Sequence, residues 1–136
     1  MQFNWNDKTI LVAEDEPANF LFIEKIVNPT EVKILRAENG EEAIRLVDEH
    51  PEIDLVLMDI YMPGMDGFET TDLIKKMKPG LPVVAQTFYE SQIDKEKVEN
   101  ASFDDFIRKP ININKLLAIM EKYLRSTSTH AINTNE

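Results

Sequence analysis

Cysteine is absent from all 136 residues, which removes disulfides and thiolate metal sites from consideration. Glycine is scarce, with Gly40, Gly64, Gly67 and Gly80 the whole supply. Glycines so spaced cannot build a phosphate-cradling loop, and this argues against an ATP-binding kinase domain. The two histidines are His50, beside Pro51 at an expected helix end, and His130 in a polar terminal stretch. Neither suggests a metal site or a phosphorylated histidine. No apolar run approaches the roughly 20 residues that a membrane span needs. The first seven residues lack the basic start and apolar stretch of a signal peptide. Positive charge is also short: 15 Lys and Arg face 25 Asp and Glu, for a net charge of −10. No basic patch for nucleic acid is visible. These absences lead us to expect a cytoplasmic protein without membrane insertion or direct nucleic-acid contact.

What is present is an apolar content of 43%, enough for one packed core, and an alternation of strand-like and helix-like segments. Ile10–Ala13, Leu55–Met58 and Leu81–Ala85 are nearly continuous apolar runs. Val32–Ala37 is interrupted by Lys33 and Arg36, and Phe106–Ile107 is short. Helical spacing covers Pro17–Val27, Glu41–Glu49, Gly67–Met77, Gln92–Asn100 and a last amphipathic stretch from Ile113 to Leu124. Five β–α repeats predict an α/β fold: a doubly wound, flavodoxin-like parallel sheet of five strands. Continuous apolar runs mark strands buried on both faces, so the first, third and fourth belong in the centre and the second and fifth at the edges. The order 2-1-3-4-5 satisfies this and places a binding crevice at the carboxyl ends of the first and third strands. Residues 1–125 should form the domain, and 126–136 a polar, disordered tail.

Five polar side chains stand at the strand ends: Glu14 and Asp15, Asp59, Thr87 and Lys109. If they converge, three carboxylates need positive charge among them. A hard cation with oxygen ligands, Mg²⁺ or Mn²⁺, suits them. With the cation and Lys109, a phosphoryl group becomes tolerable, and a carboxylate can itself be the nucleophile. Asp59, at the very end of a central strand, is the candidate phosphoacceptor, with Lys109 and Thr87 holding phosphoryl oxygens.

The stretches Ile10–Glu16, Leu57–Gly67, Ala85–Thr87 and Phe106–Pro110 together resemble the receiver domain of two-component response regulators, most closely the receivers of hybrid histidine kinases. The resemblance spans about residues 8 to 125. It implies that Asp59 is phosphorylated, that Glu14 and Asp15 hold the cation with Asp59 and the Tyr61 main-chain carbonyl, and that Thr87 and Phe106 are switch residues. It also implies a cis Lys109–Pro110 peptide. The implied partners are a histidine kinase or histidine phosphotransfer domain, then a downstream protein or a second copy. The implied chemistry is self-phosphorylation and self-dephosphorylation, not turnover of a separate substrate. Glu14 departs from the more usual Asp. Phe88 follows Thr87 where a small residue is common, Tyr61 and Tyr89 lie two positions after Asp59 and Thr87, and slow dephosphorylation is expected from crowding of the attacking water.

Taken singly, these signals are ambiguous. Glu14-Asp15-Glu16 reads equally as an acidic loop opening a helix, Met62–Gly67 as a turn, and Lys109 as a surface charge. Their joint order along the strand ends is what reverses those readings. Two other classes compete: a receiver-fold interaction module that is never phosphorylated, and an aspartyl-phosphate phosphatase of the haloacid dehalogenase type. The second would require an Asp two residues after Asp59, where Tyr61 stands. The first helix is apolar nearly all round. With Phe22, Ile23, Ile26 and Val27 toward the sheet, Phe20 and Leu21 are left at the rim as a docking patch.

Overall fold

A computed structural model describes residues 3–88 and 92–132 of the chain. Its elements alternate throughout: β1 (Thr9–Ala13), α1 (Pro17–Val27), a 3-10 turn (Asn28–Thr30), β2 (Lys33–Ala37), α2 (Gly40–Glu49), β3 (Leu55–Asp59), α3 (Gly67–Met77), β4 (Val83–Thr87), α4 (Gln92–Glu99), β5 (Asp105–Arg108) and α5 (Ile113–Ile132). The strands form one parallel sheet in the order β2-β1-β3-β4-β5, as the apolar runs predict. β1, β3 and β4 are buried along their whole length, while β2 and β5 are partly exposed.

Each central strand feeds two cores because successive side chains point to opposite faces. Ile10, Val12, Leu55, Leu57 and Val84 pack against Ile23 and Val27 of α1 and Leu116, Met120 and Leu124 of α5. Leu11, Ala13, Val56, Met58 and Val83 pack against Ala43 and Val47 of α2 and Ile74 of α3. A third, smaller cluster of Ile60, Ala85 and Val98 lies beneath α4 and is joined by Phe68, Phe103 and Phe106.

Local chemistry sets the helix starts. Pro17 opens α1, where its missing N–H costs nothing. Asn39, Asp66 and Asn112 each accept a backbone N–H three residues on, from Glu42, Glu69 and Lys115, the N-cap arrangement. Two expectations need correction. α5 continues to Ile132, seven residues past the boundary expected at 125. A helix already anchored by Leu116, Met120 and Leu124 extends with little further nucleation cost, so polar composition alone misplaced its end. In α1, only Ile23 and Val27 are buried. Phe22 is exposed rather than sheet-facing, and Leu21 is exposed with it. Phe20 is partly buried against the core, with the guanidinium of Arg36 4.9 Å from its ring centroid.

Candidate functional site

At the switch between β1 and β3, where the strand order reverses, the loops after the strands leave a cleft of about 250 Å³. It is lined by Asp15, Glu16, Asp59, Tyr61, Thr87, Phe88 and Lys109. Asp59 is the last residue of β3 and only 5% exposed. Its Oδ1 accepts the Tyr61 N–H at 3.0 Å, and its Oδ2 lies 3.1 Å from the Lys109 ammonium. Glu14, fully buried, lies 3.4 Å from the same ammonium through Oε1. Carboxylate oxygens of Glu14, Asp15 and Asp59 come within 4.8 Å of one another.

The sequence bends the backbone around this point in specific ways. A Cβ on Gly67 would come 2.5 Å from the Ile60 Cα and 2.6 Å from the Asp59 carbonyl oxygen. Only glycine lets α3 start against the end of β3. Gly64 has φ 79, a conformation glycine adopts without strain. The Lys109–Pro110 peptide is cis, as the resemblance implies, and the Lys109 N–H bonds the Thr87 carbonyl at 2.8 Å. That bond ties the ends of β4 and β5 together across the cleft.

The electrostatics are unbalanced. Among the described residues, Lys109 is the basic side chain within ion-pair distance of Glu14 and Asp59. Burial, foremost, raises the Glu14 carboxyl above its ordinary 4.5. The negative charge of Asp59 pushes the same way, while bonds from Asn19 and the Glu16 N–H and the charge of Lys109 oppose it. Three close carboxylates with oxygen donors only, and one ammonium, fit a hard divalent cation and disfavour softer metals.

Thr87 is buried at the cleft wall, and its hydroxyl donates to the Phe88 carbonyl at 3.1 Å rather than to Asp59. Phe106 is half-buried and lines a groove of about 310 Å³ with Pro110 and Ile119. Tyr61 and Phe88, 57% and 53% exposed, stand at the mouth, the Phe88 ring centroid 5.7 Å from the Lys109 ammonium. Tyr89, the third expected aromatic, lies outside the described residues.

Sequence reasoning missed three side chains. Asn19 donates to Glu14 Oε1 and, at 3.3 Å, to Gln86 Oε1. Arg36 donates to the main-chain carbonyls of Glu14 and Asp15 at 3.2 and 3.4 Å. Arg36 was visible as a charge interrupting a strand, and Gln86 as a polar residue in an apolar one. Asn19 gave no signal apart from lying one helical turn beyond the acidic pair.

A doubly wound five-stranded sheet with an acidic, lysine-bearing cleft at its switch point defines the class. Within it, the chain belongs to the response regulator receiver domain family, which it matches over residues 10–121. It is 33% identical over 119 residues to sensor histidine kinase GacS of Pseudomonas protegens, a match covering 84% of this chain and 13% of that protein. It is 29% identical to the polar-differentiation response regulator DivK of Brucella anthropi, covering 86% and 96%. The chain thus spans a small part of the sensor kinases it matches and nearly all of the free-standing regulator. Among solved structures it resembles the receiver domain of a signal transduction histidine kinase from Syntrophus aciditrophicus, with a TM-score of 0.80, 27% identity and coverage of 88% and 91%. A co-crystal structure of the yeast histidine phosphotransfer protein Ypd1 with the receiver domain of Ssk1 shares the fold, with a TM-score of 0.79, 23% identity and coverage of 86% and 88%. Among the described residues, no helix is long and apolar enough to cross a membrane.

Proposed function

We propose that this receiver domain accepts a phosphoryl group on Asp59 from a phospho-histidine of a kinase or phosphotransfer domain, with Mg²⁺ or Mn²⁺ held by Glu14, Asp15, Asp59 and the Tyr61 main-chain carbonyl. The observation that carries this is the Lys109 ammonium 3.1 Å from Asp59 Oδ2 in a cleft where two further carboxylates stand within 4.8 Å. When bound, the cation supplies the positive charge that lets a dianionic group approach three carboxylates. Asp59 contributes the attacking oxygen. As the O–P bond forms, the P–N bond to the donor imidazole breaks, and its electron pair stays on the ring nitrogen. Lys109 and Thr87 hold the phosphoryl oxygens, Thr87 by turning its hydroxyl away from the Phe88 carbonyl. Water later attacks phosphorus, the Asp59–phosphorus bond breaks, and phosphate leaves. The protein acts on itself and turns over no separate substrate.

Movement of Thr87 would vacate space for Phe106 to turn inward and so repack the face formed by α4, β5 and α5. That face would meet the next component: a downstream protein, a second copy, or another part of a longer chain. The exposed Leu21 with its neighbour Phe22, in place of the Phe20–Leu21 pair, forms the apolar patch that would meet the donor's helices. Leu21→Glu should then slow transfer from a phospho-histidine protein while leaving a small phosphodonor unaffected; equal slowing with both rejects the patch. The central test is intact mass after a small acyl phosphate and Mg²⁺. Wild type should gain one phosphoryl group and Asp59→Asn none. Labelling of both, or of neither, overturns the assignment.

A further inference from the structure

Gln86, the next-to-last residue of β4, has 0% exposure. Its register partner on β3 is Asp59 itself. A buried amide is costly unless its donors and acceptors are used. Gln86 uses half of its capacity: Oε1 accepts from Asn19, while Nε2 has no hydrogen-bond partner. An apolar residue of the same size would fill this position without leaving a donor unpaired. What the amide provides is therefore its oxygen and the orientation that oxygen imposes on Asn19.

Asn19, on the first turn of α1, has two N–H donors. One goes to Gln86 Oε1 and the other to Glu14 Oε1, so the amide is fully committed as a donor. Glu14 carries one more methylene, and one more rotatable bond, than an Asp would in its place. Its carboxylate needs restraint to hold one geometry. Oε1 accepts from Asn19 and lies 3.4 Å from the Lys109 ammonium as an ion pair, so both positive and donor groups gather on that oxygen. Oε2 accepts the Glu16 N–H at 3.1 Å and keeps one lone pair in hand. The donors thus leave Oε2 as the oxygen open to a cation.

We propose that Gln86 and Asn19 are positioning residues forming a buried amide relay from β4 through α1 to Glu14, and that this relay sets the cation affinity of the site by presenting Glu14 Oε2 to the metal. The inference rests on the cation-site reading above. Because Gln86 adjoins Thr87, the relay also links the cation to the strand end that carries the expected switch hydroxyl. Groups that orient a metal ligand from behind change affinity by about 10- to 100-fold when removed.

The experiment is calorimetric titration of Mn²⁺ into wild type, Asn19→Ala, Gln86→Met and the double variant, with a thermal melt of each in chelator. Asn19→Ala should weaken Mn²⁺ binding by about ten-fold. Gln86→Met should weaken it several-fold without lowering the melting temperature, since it removes an unpaired buried donor. The double variant should bind no more weakly than Asn19→Ala alone, because the two residues act in series. Unchanged affinity in both single variants, with wild type binding normally, overturns the relay and leaves the cation site standing. Equal loss from Gln86→Met with and without Asn19 also overturns it, since the effect would bypass the proposed route. Absence of Mn²⁺ binding by wild type overturns the cation site and the relay together. Should Gln86→Met melt lower, Asn19→Ala decides alone: this half-buried helix position tolerates alanine, and wild-type affinity there rejects the proposal.

Discussion

At the amino ends of the strands, carboxylates have partners of their own; at the carboxyl ends, three lie within 4.8 Å of one another and two of them share one ammonium. Asp54, just before β3, accepts the first N–H of β1 at 2.9 Å, and its own N–H bonds the Thr9 carbonyl at 2.8 Å. Asp104, just before β5, does the same for β4, accepting the Val83 N–H at 2.8 Å and returning its N–H at 2.9 Å. Lys75 then closes that corner, 2.9 Å from Asp104. Each aspartate pins the start of the neighbouring inner strand. Glu14, Asp15 and Asp59 pin nothing comparable. They are held close against their mutual repulsion by the strands that carry them. Stability is invested at one end and spent at the other, which is the expected place for local rules to fail when a site must bind something.

The largest effect should come from removing the ammonium that, among the described residues, pairs with both Glu14 and Asp59 at the crowded end. Lys109→Met leaves Glu14 and Asp59 facing each other without an ammonium, and the metal-free protein should lose about 3 kcal/mol in urea unfolding. Excess Mg²⁺ should restore a large part of that loss. A variant as stable as wild type would show that the crowded end carries no strain. Asp104→Ala tests the opposite end. It removes the acceptor for Val83 and the partner of Lys75, and should cost about 1 to 2 kcal/mol. The cost should be independent of divalent cation, and labelling of Asp59 should be untouched. A cation-dependent loss in Asp104→Ala would erase the contrast between the two ends.

The fold was legible because both signals it needs are local. Continuous apolar runs at Ile10–Ala13 and Leu55–Met58 could belong only to strands covered on both faces. Charges within Lys33–Ala37 marked an edge. The gathering of Glu14, Asp15, Asp59, Thr87 and Lys109 followed from their places at strand ends once the order was known. What stayed hidden depends on side-chain direction. Phe22 is as apolar as Ile23, yet its position on α1 turns it to solvent. Asn19 and Gln86 lie 67 positions apart in the chain, and nothing in either neighbourhood announces the bond. The end of α5 was misjudged because Ser and Thr lower helix propensity only slightly, less than the anchored turns before them contribute.

Acidity gives a finer measure of the imbalance. The Glu14 carboxyl is raised, chiefly by burial and then by Asp59. The folded protein therefore keeps a proton there at a pH where the unfolded chain has lost it. Below the ordinary 4.5 both states are protonated and the contribution is complete, and it is lost as pH rises through the folded value. In chelator, the melting temperature should fall as pH rises above the ordinary carboxylate value of 4.5, and Glu14→Gln should flatten part of that slope. Added Mg²⁺ should flatten it as well, since a cation favours the ionised form. A slope unaffected by Glu14→Gln would place the titration elsewhere.

The smallest stability effect, and a kinetic one, belongs to the cleft mouth. Tyr61 is 57% exposed and bounds the cleft beside Asp59, so Tyr61→Asn should shift stability by no more than about 0.5 kcal/mol. On the proposed phosphorylation of Asp59, the Tyr61 side chain would border the path of the attacking water, because it lines the same cleft. Removing it should shorten the phosphorylated half-life by roughly five-fold, equivalent to about 1 kcal/mol of barrier. Phe88 is equally exposed, but its ring lies beside the Lys109 ammonium. Phe88→Ala should therefore disturb phosphoryl holding as well as water entry, lowering the rate of labelling along with the half-life. If Tyr61→Asn leaves the half-life unchanged while Phe88→Ala shortens it, the gate at this end of the sheet is built from one aromatic, not two. If neither changes it, burial of the phosphoryl group in the cleft, rather than its aromatic rim, governs hydrolysis.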